Sequence, residues 1–131
     1  MEKFIGVWKL VNAENFDEYM KAFGISDEWR NIGHVLKPKM IISQDDDTVV
    51  FDVESLVANQ KISFKLGEEF QSKTMDGKDC KVTVSLDGDS LIEVSKWDDS
   101  ESCNVYMIKD GQLIKSMSYE DIVAVRTFEK V

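Results

Sequence analysis

At 131 residues the chain is one domain long and large enough to bury a core; 43% of it is hydrophobic and 31% charged, a balance that excludes a disordered chain. A formal net charge of −9 argues against nucleic acid as a partner, since phosphate binding needs clustered Lys and Arg, and it limits contact with anionic lipid to transient encounters. No apolar run approaches the roughly 18 residues of a membrane span, and Glu2, Lys3, Lys9 and Glu14 break any signal-peptide pattern, so a single domain over 1–131 in the cytoplasm is expected.

In chain order, "FIGVWKLVN" predicts the first strand. The next stretch departs from that rhythm. In "NFDEYMKAFG", Phe16, Tyr19, Met20 and Phe23 fall at i, i+3, i+4 and i+7, the stripe of a helix, with Asn15 and Glu18 as a capping box and Gly24 as its stop. "SDEWRNIGHVLKP" predicts a second helix that starts at Ser26, sets Trp29, Ile32 and Leu36 on one face, and ends before Pro38. Neither is long enough to persist alone in water, so each must lie on an apolar surface. The simplest arrangement is a helical hairpin over about 15–37 that covers one end of a barrel.

From Pro38 onward, turn-forming clusters recur roughly every ten residues: "QDDDT", "VANQ", "LGEE", "MDGK", "LDGDS", "WDDSES", "KDGQ" and "YED". Short runs rich in Val, Ile, Phe and Thr lie between them. The pattern predicts about ten strands in an all-β antiparallel meander. Ten strands closed on themselves enclose a wider lumen than eight, and eight already leave room for a small ligand.

Side chains alternate across a strand. Met40 and Ile42, Ile62 and Phe64, and Val82, Val84 and Leu86 put large apolar residues at even numbers, so even positions from 40 onward are taken as inward. The inner face is also assigned a polar set: Ser55, Gln60, Ser72, Glu93, Ser95, Asn104, Tyr106, Lys115 and Arg126. In the closing "DIVAVRTFEKV", Arg126 shares a face with Ile122, Ala124 and Phe128. A solid core could not hold such groups, since an unpaired buried polar group costs about 1–3 kcal/mol and an isolated charge far more. Two readings stay open on pattern alone. Either the set lines a hydrated cavity, or Lys115 and Arg126 belong to the surface of a strand in another register.

Catalytic and metal chemistry find little footing. His34 is the single histidine, near the end of the second predicted helix, and is expected to decorate the surface there. No CxxC or HExxH spacing supports a metal. Cys80, facing either the cavity or the wall, and Cys103 are expected as reduced thiols without an activator. The expectation is a protein without catalytic residue, metal or cofactor.

Beyond these patterns, "GVWKLVNAENFDEYMKAFG" carries Gly6, Trp8, Leu10, Asn15, Phe16, Asp17, Tyr19 and Met20. With "ISFKLGEEF", "SLDGDSL", "KW", "DGQL" and "RTFEKV", it resembles the intracellular lipid-binding proteins. These are the fatty acid-binding protein family, which includes the cellular retinoid carriers; the likeness is to its heart, adipocyte and myelin branch and spans essentially the whole chain. The resemblance implies a ten-stranded up-and-down barrel, calycin-like, with a helix-turn-helix lid between strands one and two. It supports the inward register. It also implies a fatty acid whose carboxylate meets two arginines and a tyrosine. Arg126 matches the second arginine, and its planar fork suits a carboxylate. Tyr106 stands where the first arginine is expected, and Phe128 where the tyrosine is. Lys115 replaces an aliphatic residue, and Glu93 stands where a histidine is common.

Two chemistries follow from those departures. In one, Arg126 with Lys115 or Tyr106 binds a lipid carboxylate in a shifted pose. In the other, Glu93 neutralises Lys115 or Arg126 and the site suits a neutral lipid or a retinoid. A separate reading lets Lys115 reach bulk water through a gap between strands. The family's portal implies turns around residues 57 and 76; Val57 and Ala58 replace a phenylalanine and a lysine there, and Trp29 is expected to fill the space or to pack within the lid. The ligand-binding set so implied is Arg126, Tyr106, Lys115, Phe128, Phe16, Tyr19, Met20, Met40, Ser55, Val57, Met75, Asp76, Glu93 and Met117, with Phe51, Val53, Ile62, Phe64, Val84 and Leu86 as further apolar wall.

The function this points to is a monomeric carrier of long-chain fatty acid or a related lipid. Its acidic lid (Glu14, Asp17, Glu18, Asp27 and Glu28) is expected to favour ligand exchange through water. Two other classes remain: an interaction module with a structural barrel and an acidic lid for a protein partner, and an extracellular lipocalin-like carrier, which the helical hairpin disfavours.

Overall fold

The computed structural model describes residues 1–35, 37–55, 59–74 and 77–131. After one 3-10 turn (Glu2–Phe4) come β1 (Gly6–Glu14), α1 (Phe16–Ala22), α2 (Asp27–Val35), β2 (Lys39–Asp45), β3 (Thr48–Glu54) and β4 (Asn59–Lys65). Then follow β5 (Phe70–Lys73), β6 (Asp79–Asp87), β7 (Ser90–Trp97), β8 (Ser100–Lys109), β9 (Gln112–Tyr119) and β10 (Ile122–Lys130). The strands form one ten-stranded sheet in the order β4-β3-β2-β1-β10-β9-β8-β7-β6-β5, and β1 joins β10 antiparallel to roll it into the expected barrel. Its two edges, β4 and β5, meet through side chains: the rings of Phe64 and Phe70 stack with centroids 5.3 Å apart.

Five hairpins turn in two residues, closed by the pairs Asp45–Thr48, Asp87–Ser90, Trp97–Ser100, Lys109–Gln112 and Tyr119–Ile122. Each turn holds a residue at positive φ: Asp46, Gly88, Asp98, Asp110 with Gly111, and Glu120. Asp110 at 54° and Gly111 at 78° give the twist that suits flanking strands, and aspartate tolerates the left-handed region better than most residues. A two-residue turn has a further consequence. The closing residues are three apart and face the same side, so inward parity switches at each such turn. Inward residues are even in β2, β6, β8 and β10, but odd in β3 (Val49, Phe51), β7 (Leu91, Trp97) and β9 (Leu113, Met117). The even-inward expectation fails in those three strands, while its polar members Glu93, Ser95 and Lys115 do share the inner parity of β7 and β9. Leu86 also departs from it at 43% exposed, because it lies beyond the end of β5 where no strand covers it.

The end away from the helices is solid. Phe4, Trp8, Ile42, Val49, Leu113 and Phe128 are fully buried there, and the Trp8 Nε1–H donates to the Phe4 carbonyl at 2.9 Å. The other end carries the helices. The predicted capping box does not form: Asn15 adopts φ 60°, and its Nδ2 donates instead to the Val123 carbonyl of β10 at 3.0 Å, which anchors α1 to the barrel. Gly24, at φ +80°, ends α1 as expected, with its N–H on the Lys21 carbonyl. The Phe23 ring seats the helix, 4.3 Å from Tyr119 and 5.7 Å from Trp97. Arg30 of α2 ties the helices together through the Asp17 carboxylate at 3.1 Å and the Ile25 carbonyl at 2.6 Å, and also reaches Asp27. Trp29 is 63% exposed and so is not packed within the lid as expected; the portal turns it was expected to fill lie outside the described residues. Leu36, Val57, Ala58, Met75 and Asp76, and the side chain of His34, lie outside the described residues.

Candidate functional site

Between the plug and the helices the barrel is hollow, with a cavity of about 370 Å³. Its two walls differ. On the β2–β4 side it is lined by Met40, Phe51, Val53 and Ile62, with Gln60 the one polar residue among the described residues. On the β7–β9 side it is lined by Glu93, Ser95, Ser102, Asn104, Tyr106 and Lys115, with Met117. Tyr19 of α1 and Phe23 just past its end close the top, and Ser72, Lys73 and Thr74 lie along the β5 side.

Register explains the polar wall. Leu91, Tyr106, Lys115 and Arg126 stand directly opposite one another across β7, β8, β9 and β10, one row above the plug. Lys115 and Arg126 are therefore like charges in a cross-strand pair, an arrangement that destabilises a sheet unless an anion joins it. Among the described residues, neither has an acidic partner within ion-pair distance. Lys115 lies over the Tyr106 ring, its Nζ 5.3 Å from the centroid. Arg126 lies beside the cavity lining, its guanidinium carbon 4.5 Å from the Phe16 ring centre and 5.7 Å from that of Phe128, and its buried Nε has no hydrogen-bond partner. Burial, with a smaller push from Arg126, lowers the Lys115 ammonium to about 8, although Glu93 opposes the shift. Burial lowers Arg126 to about 10, so it stays charged at neutral pH.

Glu93 does not pair with either cation. Its Oε1 accepts from the Asn104 Nδ2 at 2.9 Å and from the Tyr106 hydroxyl at 3.0 Å. This corrects two expectations. Among the described residues the neutralising ion pair within the cavity is absent, and the Tyr106 hydroxyl, expected to be available to a head group, is already donated to Glu93. The cause is register: Asn104 sits directly across from Glu93, with Tyr106 two residues on along the same face. Burial and the Glu93 charge hold the Tyr106 phenol well above its usual range. Burial also pushes Tyr19 up to about 12. Lys115, half-buried, lines the cavity.

Of the sequence-predicted set, Tyr19, Met40, Glu93, Tyr106, Lys115 and Met117 line the cavity, and Phe16, Arg126 and Phe128 cluster beside it. Met20 is buried without lining it, and Ser55, half-buried just past β3, is not in the lining. Val57, Met75 and Asp76 lie outside the described residues. Sequence reasoning left Phe23, Thr74 and Ser102 out of the set and named Asn104 only as inward-facing. Ser102 was reachable in principle, since it pairs with Ser95 once hairpin parity is counted. Cys80 and Cys103 are free thiols, raised above their ordinary value chiefly by burial, and neither lines the cavity. Among the described residues no group of His, Cys, Asp and Glu could hold a metal ion, and no helix is long and apolar enough to cross a membrane.

Known proteins share this architecture. The model of the family described as "Lipocalin / cytosolic fatty-acid binding protein family" matches residues 5–131. A fatty acid-binding protein from brain tissue of Drosophila melanogaster superposes with TM-score 0.90 at 35% identity, covering 96% of this chain and 98% of that one. A Schistosoma mansoni fatty acid binding protein, solved in complex with arachidonic acid, gives 0.93 at 29% identity over 100% and 98%. The fluorescent protein UnaG gives 0.92 at 38% identity over 99% and 98%.

Proposed function

Because the chain belongs to the lipocalin and cytosolic fatty-acid binding protein family, we propose that it is a monomeric cytoplasmic carrier that holds a long-chain fatty acid non-covalently in its barrel cavity. The observation that carries this is the pair Lys115–Arg126, two cations abreast on the inner wall with no acid within ion-pair distance among the described residues. A ligand carboxylate supplies the missing charge. It meets Lys115 in the cavity, and Arg126 behind it strengthens the field in a low-dielectric site. The acyl chain then lies against Met40, Phe51, Val53 and Ile62, where apolar burial contributes about 25 cal/mol per Å². A neutral lipid would bring no charge to either cation, so the carboxylate reading is preferred.

The reading is tested by native mass spectrometry of the purified protein, followed by calorimetric titration of the delipidated protein with a fatty acid and the fatty alcohol of equal length. Tighter binding of the acid is expected, by about tenfold or more. Equal binding of acid and alcohol would remove the head-group role, and binding of neither would remove the carrier.

A further inference from the structure

The polar wall holds one group that a fatty acid carboxylate does not use. Glu93 lines the cavity, and both protein donors that reach it go to Oε1. Its Oε2 has no partner among the described residues and keeps accessible surface, which at this position opens into the hollow. Asn104 and Tyr106 hold the carboxylate in place, since their donors are committed to it. Beside it, the Oδ1 of Asn104 is a second acceptor without a partner. An alkyl chain passing this point would strip water from Glu93 and return nothing, the least favourable outcome for a charged acceptor. A hydroxyl would return a charge-assisted hydrogen bond.

We propose that the cavity selects lipid carboxylates that carry a second hydrogen-bond donor, a hydroxyl along the chain, and that Glu93 is the residue that reads it. The inference rests on the fatty-acid reading above and narrows its ligand class. In it the wall has two tasks: Lys115 and Arg126 receive the acid, and Glu93 receives the hydroxyl. Discrimination comes from the acceptor that a plain fatty acid leaves unpaired, which is how sites built around a substrate hydroxyl reject the analogue lacking it.

The test compares stearate, hydroxystearates bearing the hydroxyl at successive mid-chain carbons, and the matching methoxystearates, each titrated calorimetrically into delipidated protein. At least one hydroxystearate should bind roughly 10- to 100-fold tighter than stearate and than its own methoxy ether, which can accept but not donate. Glu93→Gln, which keeps an oxygen for Asn104 and Tyr106, should narrow the hydroxy-to-methoxy ratio to within about threefold; circular dichroism verifies its fold. Stearate or the ethers binding as well as every hydroxystearate would overturn the selection while leaving the carrier intact. So would a ratio that survives Glu93→Gln unchanged. Binding of none of them would overturn the carrier reading and this inference together.

Discussion

The two walls of the cavity are built from the same kind of strand yet have opposite character. β2, β3 and β4 point Met40, Ile42, Val49, Phe51, Ile62 and Phe64 inward, and Phe51 packs edge-on to Phe64 at 5.0 Å and against Tyr106 at 5.6 Å. β7 to β10 point Glu93, Ser95, Ser102, Asn104, Lys115 and Arg126 into or beside the same space. The first wall stabilises the fold by burial and gains little specificity. The second destabilises the empty fold, because it sets two like charges side by side in a buried wall without a paired acid among the described residues, and gains the ability to choose a ligand. Stability and selectivity are thus placed on facing sides of one barrel.

The contrast breaks first on the apolar side. Phe51→Ala should lower unfolding free energy by about 3–5 kcal/mol, read by urea denaturation, with a smaller change in the preference for acid over alcohol. On the polar side the order should invert. Arg126→Gln should weaken fatty acid binding about 10- to 100-fold, while fatty alcohol binding changes less than about threefold. Lys115→Met should raise the stability of the ligand-free protein by on the order of 1 kcal/mol while weakening fatty acid binding, because it exchanges a buried charge for an apolar side chain.

A titration sharpens the same point. The folded Lys115 value, about 8, lies below its ordinary 10.5. Between those values the unfolded chain holds a proton that the folded chain has released, so this group's contribution makes stability rise with pH across that window; below it both states are protonated and the full penalty applies. Fatty acid affinity should run the other way, falling as pH climbs through about 8, and Lys115→Met should flatten both trends. The smallest effect belongs to the lid anchor. Asn15→Ala should cost about 1 kcal/mol by removing the bond to Val123, seen as faster amide exchange in α1.

The helical stripe of Phe16, Tyr19, Met20 and Phe23, the stop at Gly24 and the run of turn clusters were legible because each is a local signal. Periodicity and turn chemistry act within a few residues, and they fixed ten strands and two helices in order. The inward faces were legible in β2, β6 and β10, where apolar size alternates cleanly. They were misassigned by rule in β3, β7 and β9, because parity depends on how many residues each turn takes, and that count is settled when strands pair.

The amino-acid order by itself thus determined the element sequence and the all-β class, and it left charge on an inner face as one of two readings. Only the tertiary structure decided that Lys115 stands abreast of Arg126, that Tyr106 gives its hydroxyl to Glu93, and that one oxygen of that carboxylate is left open. The physical reason is range. Propensity and periodicity reside in neighbours along the chain, whereas the balance of buried charge is set by cross-strand neighbours 11 or 13 residues apart, as with Glu93 and its two donors, and no local pattern encodes which of them will meet.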